Sequence, residues 1–285
     1  MTIKAVKPRP YWHVDAKWIT GIISILVLMT TFSIYLLVEF TTSEEGINIL
    51  TTTMASAFSY ESGGMDEAGD IENMKEKIIE SANGEYKPIP GLEITVRMED
   101  IEGKSPREAR LWFFRKLAEP LYYQGQQGII DKMTDAEMKK DLADGIGPLT
   151  LLSSDTHSKL NSALIISAVS SLFLVVLLFI FSYGFGRLGT PGFVIFLAST
   201  PNLLLLTGLK KLLSAPVTDP ANEGIQSIVS RYTQLVSDIL PDLVQKAITF
   251  YLILCTVGIA LMVIGLIGSI IFRRKKKNAE LEPAG

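Results

Sequence analysis

Apolar residues in this chain gather into four long runs, with polar intervals of very unequal length between them. The runs are Trp18 to Val38, Ala163 to Tyr183, Phe193 to Leu209 and Ile248 to Phe272, and none contains Asp, Glu, Lys, Arg or His. About 20 apolar residues carry a helix across a hydrocarbon core. Each run therefore predicts a membrane-spanning helix, the third one short and kinked at Pro201. The first run is too long for a signal peptide. Ala55-Ser56-Ala57, the nearest small-residue site, lies well past its end, so an uncleaved signal-anchor is expected.

Charges orient the four spans. Lys4, Lys7, Arg9 and Lys17 precede the first against Asp15 alone, Arg187 lies between the second and third, and Arg273, Arg274, Lys275, Lys276 and Lys277 follow the fourth. Basic residues stay on the cytoplasmic side. All three segments agree if every run crosses and both termini are inside. A re-entrant third run would carry the basic tail outside, against that rule. The expected division is a cytoplasmic segment 1–17, span 18–38, an extracytoplasmic domain 39–162, span 163–183, a cytoplasmic loop 184–192, span 193–209, an extracytoplasmic segment 210–247, span 248–272 and a basic tail 273–285. The tail and the short inner loop leave no room for a cytoplasmic catalytic domain.

The first outer stretch has mixed periodicity. Residues 42–60 extend the first span as a helix until Ser62-Gly63-Gly64 breaks it. Ile71, Met74, Ile78 and Ala82 form a helical stripe that ends at Asn83-Gly84. Leu92, Ile94, Val96 and Met98 alternate with Glu93, Thr95, Arg97 and Glu99, the period of a half-buried strand. Its partner is either a weak strand near 85–89, one near 149–152, or another polypeptide by strand addition. Ser105-Pro106-Arg107-Glu108 is a capping box with a first-turn proline. Ala109, Trp112, Phe113 and Leu117 form the face of the helix it opens, widened by Phe114, Ala118 and Leu121, with Pro120 tightening the end. A weaker helix runs from Thr134 to Asp144.

The second outer stretch carries a heptad seam: Ile225, Val229, Tyr232, Val236, Ile239 and Leu243. This amphipathic helix must bury its stripe, on the first outer domain, on a partner chain or, third because its polar face is not notably basic, flat on the outer leaflet. These six residues are the candidate partner-binding surface.

The chain has 285 residues and 31.4 kDa, 48% hydrophobic and 20% charged, with mean hydropathy +0.30 and formal net charge −3. Those values suit a membrane protein with a polar domain. Residues 42–160 hold 22 acidic and 13 basic residues, a net −9, so the outer part is acidic and excludes nucleic acid as a partner. The single cysteine excludes a disulfide framework or a cysteine zinc site within one chain. No Asn-x-Ser/Thr sequon and no cysteine occur in 39–162, which points to a bacterial or archaeal plasma membrane.

Candidate chemistry is sparse. Uncharged spans argue against proton relays and intramembrane aspartyl catalysis. Ser199, Thr200 and Asn202 around Pro201 are the candidate polar membrane site, either hydrogen-bonded packing or the lining of a path. Gly258, Gly265 and Ser269 on span four, and Ser167 and Ser171 on span two, are candidate helix-contact faces. Asp155, His157 and Ser158 suggest a hydrolase, but neighbouring residues on one element point apart. Asp131, Asp135, Glu137, Asp141 and Asp144 lack EF-hand spacing and read as a solvated face. No phosphate loop, dinucleotide fingerprint or zinc-protease motif is present.

In topology alone the arrangement resembles the bacterial division permease-like subunit that partners an ABC ATPase. No motif residue carries over, and the inner loop Phe185 to Gly192 is short for gripping an ATPase.

The expected fold class is membrane α-helical. Four transmembrane helices carry a small α+β extracytoplasmic domain between helices 1 and 2 and an amphipathic helix between helices 3 and 4. The expected function is a non-enzymatic binding or scaffold subunit of a membrane complex, with the lipid bilayer and a protein partner or second copy as partners and no cofactor. A channel or transporter component comes second, and a membrane enzyme at the outer surface third.

Overall fold

A computed structural model describes residues 12–58, 66, 68–89, 91–133, 139, 147–182, 186–213 and 223–281. The described residues are mostly helical and divide into two compact units. One lies within Met1–Leu36, Ser162–Leu212 and Val244–Gly285, the other within Leu37–Asn161 and Leu213–Leu243. We call them the apolar unit and the polar unit.

Four helices supply stretches long and apolar enough to cross a membrane: Val14–Phe40, Ser154–Phe181, Gly186–Lys211 and Pro241–Phe272. These belong to α1 (Trp12–Phe40), α7 (Ser154–Phe181), α8 (Gly186–Leu213) and α9 (Glu223–Leu281). In the apolar unit, Leu28 of α1, Leu178 of α7, and Val194 and Ala198 of α8 form one buried cluster. Phe250 of α9 stacks on Tyr35 at 4.9 Å and meets Phe32 edge-on at 6.1 Å. Most of the remaining apolar surface is exposed, as at Ile166, Val169, Leu172 and Phe173 along α7. In a bilayer, lipid covers such faces at no cost.

Two of these helices differ from the pattern reading. The third run predicts a short span after a loop over 184–192. Instead α8 starts at Gly186, and its apolar stretch is 26 residues long with Pro191 and Pro201 inside. Glycine and proline at 189–192 read as loop on propensity, but packing overrides propensity. A Cβ on Gly192 would sit 2.7 Å from Leu261 Cβ and 2.8 Å from the Gly258 carbonyl oxygen, so bare backbone allows α8 to lie directly on α9. The amphipathic helix and the fourth span, read as separate segments, form one 59-residue helix. Pro241 is accommodated inside it.

The polar unit has its own core. It contains α2 (Ser43–Phe58), α3 (Gly69–Glu80), β1 (Glu85–Tyr86), β2 (Val96–Arg97), α4 (Met98–Ile101), α5 (Pro106–Gln124), α6 (Gln127–Ile130) and a 3-10 turn at Gly147–Leu152. Ile47, Leu50, Met54 and Ala55 of α2 share one cluster with Phe113, Leu117, Ala118 and Leu121 of α5. Ser105 caps α5. Its hydroxyl accepts from the Glu108 N–H at 3.3 Å, and its own N–H donates to the Glu108 carboxylate at 2.8 Å. Pro106 occupies the first turn, and Pro120 lies inside the helix, which runs on to Gln124.

The expected continuation of α1 through 42–60 is interrupted. The Thr41 hydroxyl donates to the Leu37 carbonyl at 2.8 Å, and the Tyr122 hydroxyl donates to the Thr41 carbonyl at 2.8 Å. Tyr122 thereby occupies an acceptor that a continuous helix would use, and α2 restarts at Ser43.

The alternating stretch keeps its burial pattern, with Leu92, Ile94 and Val96 buried and Glu93, Thr95 and Arg97 exposed. Only Val96–Arg97 forms a ladder, antiparallel to β1, pairing Glu85 with Arg97 and Tyr86 with Val96. The partner is therefore the 85–89 option. The 149–152 option is part of the 3-10 turn. Upstream, Leu92 bridges to Met133, and the Glu93 N–H donates to the Lys132 carbonyl at 2.8 Å. The helix expected from Thr134 to Asp144 lies outside the described residues, apart from Lys139.

Candidate functional site

Within the apolar unit, the hydroxyl and amide groups of the candidate residues bond to the helix backbone or to one another. Ser199 is fully buried, and its hydroxyl donates to the Ile195 carbonyl. The Thr200 hydroxyl donates to the Phe196 carbonyl at 2.7 Å and lies 3.8 Å from the Cys255 sulfur. Asn202 Nδ2 donates to the Tyr251 hydroxyl at 2.8 Å, and Ser33 Oγ lies 3.4 Å from the same oxygen. One tyrosine thus ties α1 to α8. Thr31 and Ser171 join α1 to α7 through a 2.8 Å hydroxyl pair.

The candidate contact faces separate. Gly258 meets Gly192 and Phe196 of α8, and Gly265 faces Gly189. Ser171 is buried against Thr31. Ser167 turns its hydroxyl back to the Leu164 carbonyl at 3.0 Å, and both it and Ser269 are half-buried. Tyr251 and Thr31 are missing from the pattern reading. For Tyr251 a signal existed: it lies four residues before Cys255 and seven before Gly258, on the same helical face.

At the start of α7, Asp155 and His157 diverge. Asp155 pairs with Lys159 at 2.6 Å, both side chains well exposed, whereas His157 Nδ1 lies 3.2 Å from the Thr41 hydroxyl. Ser153 immediately precedes the helix, and its hydroxyl accepts the Thr156 N–H at 3.4 Å. These residues make an N-terminal cap and a helix contact, not a triad. Of the heptad seam, Ile225, Val229, Tyr232, Val236 and Ile239 lie on α9 where the backbone alone is described, and Leu243 is half-buried. Asp131 accepts from Gln127 Nε2 at 2.5 Å, and the rest of the acidic run lies outside the described residues. No cluster of three or more His, Cys, Asp or Glu that could hold a metal occurs among the described residues.

A cleft of about 330 Å³ opens in the polar unit between α3, α5 and the stretch after β1. Buried Ile71, Phe113 and Phe114 form its floor, and Asp70, Lys77 and Arg110 line it with charge. The Arg110 side chain is 6% exposed, and its Nη2 lies 3.2 Å from Asp70 Oδ2, itself 52% exposed. A buried guanidinium needs such a partner, because desolvating a lone charge costs several kcal/mol, to order of magnitude. Lys77 Nζ donates to the Tyr86 hydroxyl at 3.2 Å and sits 5.2 Å from that ring's centre. The pattern reading missed Arg110. The signal was its position on the apolar face, three, four and seven residues before Phe113, Phe114 and Leu117.

No family model, curated protein or solved structure matches the chain.

Proposed function

We propose that this protein is a non-enzymatic binding or scaffold subunit of a membrane complex, anchored by four spans and acting through a polar unit on the extracytoplasmic side. The orientation rests on the placement of lysine and arginine. The observation that carries the functional reading is the asymmetry of the polar chemistry. Ser199, Thr200 and Asn202 spend hydrogen bonds on their own helix or on Tyr251 of the same chain. The polar unit instead presents a charged, apolar-floored cleft and exposed apolar side chains at Ile79, Tyr123 and Leu151. Exposed apolar groups beside polar ones favour recognition.

The test is photocrosslinking from Ile79 and Tyr123 in intact cells, followed by purification in mild detergent. A reproducible, stoichiometric product from either position is expected. A monomer without any crosslinked product would count against the reading. Conductance in reconstituted vesicles that disappears in Asn202→Leu would favour a channel component instead.

A further inference from the structure

The uncharged stretch of α7 gives way to a cation where α8 begins. From Asn161 to Thr218 the sequence holds no acidic residue, and Arg187 is the first charge after Lys159. Arg187 is exposed, its Nε donates to the Ser182 carbonyl at 3.4 Å, and its guanidinium lies 5.3 Å from the centre of the Phe179 ring. No carboxylate among the described residues pairs with it. The guanidinium therefore keeps its two terminal nitrogens for a ligand, and their planar fork matches a phosphate. Stacking on Phe179 orders the fork before a ligand arrives, which lowers the entropy lost on binding.

An apolar ridge leads up to that cation. Leu172, Val176, Phe179 and Ile180 lie three or four residues apart along one face of α7, and all four are exposed. The ridge is about 12 Å long, close to the depth of one leaflet in a hydrocarbon core about 30 Å thick. A phosphate-binding fork at the end of a leaflet-deep apolar ridge has the layout of a phospholipid.

Every phospholipid offers a phosphate, so the surrounding charge decides among them. Gly192 of α8 meets Gly258 of α9 and Gly189 faces Gly265, so the two helices run antiparallel. Arg187 precedes Gly189 by two residues, and Arg273 lies about 12 Å beyond Gly265 along a helix that continues to Leu281. Both belong to one end of the apolar unit, as does the start of α1, whose Gly21 faces Leu178 of α7. The segments 1–17, 184–192 and 273–285 hold ten basic and three acidic residues in the sequence. Such an excess favours anionic headgroups.

We propose that the corner between α7 and α8 binds an anionic phospholipid, its phosphate on the Arg187 guanidinium and an acyl chain along Leu172, Val176, Phe179 and Ile180. This assignment goes beyond the scaffold reading and does not depend on it.

The test uses the delipidated full chain in uncharged detergent micelles, offered equal amounts of dioleoyl phosphatidylglycerol and dioleoyl phosphatidylcholine, with bound lipid counted by native mass spectrometry. Phosphatidylglycerol should be retained in clear preference. Arg187→Gln should weaken its retention about fivefold, the scale of one basic residue at a lipid surface. Lys211→Gln, at the other end of α8, should leave it unchanged. Glycerophosphoglycerol, the same headgroup without acyl chains, should not compete. Phe179→Trp adds a readout that leaves Arg187 in place: its added fluorescence should be quenched more by phosphatidylglycerol brominated in the acyl chains than by the brominated phosphatidylcholine. Equal retention of the two lipids, full retention in Arg187→Gln, an equal loss in Lys211→Gln, competition by the free headgroup or equal quenching would each overturn the assignment.

Discussion

Single side chains decide several local outcomes, and their effects are separable. Glu108 caps α5, and the backbone N–H it accepts from Ser105 holds its carboxyl below the ordinary value of 4.5. A carboxyl lowered by folding stabilises the native state above its unfolded pKa, and that benefit fades as pH falls through the folded value. Glu108→Gln should therefore unfold more readily than the parent at neutral pH. The gap should close as the pH is lowered from about 4.5, as followed by amide exchange along α5. Ser105→Ala should cost about 1 kcal/mol in the same measurement. Gly46 gives a sharper contrast. A Cβ there would lie 2.8 Å from Tyr122 Cε2, and that ring is tethered through its hydroxyl to the Thr41 carbonyl. Helix propensity favours Gly46→Ala by up to about 1 kcal/mol, whereas overpacking costs roughly 1–3 kcal/mol. Net destabilisation is expected by thermal unfolding, and a more stable variant would contradict the close approach. The capping box and the apolar face of α5 were legible because they depend on residues within one or two turns. The place of Arg110 on that face was legible too, but not its partner, since Asp70 lies 40 residues away.

Elements pack where backbone can approach backbone. Gly192 and Gly258 bring α8 and α9 together so closely that an added methyl would meet main-chain atoms, which cannot rotate away. Gly192→Leu should push the two helices apart and lower the melting temperature in nanodiscs. Gly208→Leu, on the same helix with nothing within 4 Å of its Cβ position, should leave it nearly unchanged. The Asn202–Tyr251 bond links the same two helices. Asn202→Leu and Tyr251→Phe should each cost about 1 kcal/mol, and the double variant less than their sum, because both remove one shared interaction. Strict additivity would show that the bond contributes nothing. The glycine face of α9 was readable as a contact face from its spacing. Its partner was not, because small residues pack as well against a second copy as against the same chain.

The polypeptide as a whole is arranged by two solvents. Four apolar stretches demand lipid, and a polar unit with a buried core of its own demands water. The orientation has a direct test in single cysteines placed in a Cys255→Ser background. Thr95→Cys should react with a membrane-impermeant maleimide on intact cells, and Ala279→Cys should react only after lysis. The reverse pattern would invert the topology. The existence and number of the apolar helices could be read from composition over about 20 residues, because the cost of placing charge in hydrocarbon acts on every residue independently. Burial alternation at 92–98 was legible for the same reason, since side-chain direction follows from the local backbone. Contacts distant along the chain depend on shape. These include the start of α8 at Gly186, the restart of the helix after Thr41, the pairing of Arg97 with Glu85 and the cleft around Arg110. Each forms because particular surfaces fit or particular polar groups find one another, and nothing within a window of neighbouring residues encodes that fit.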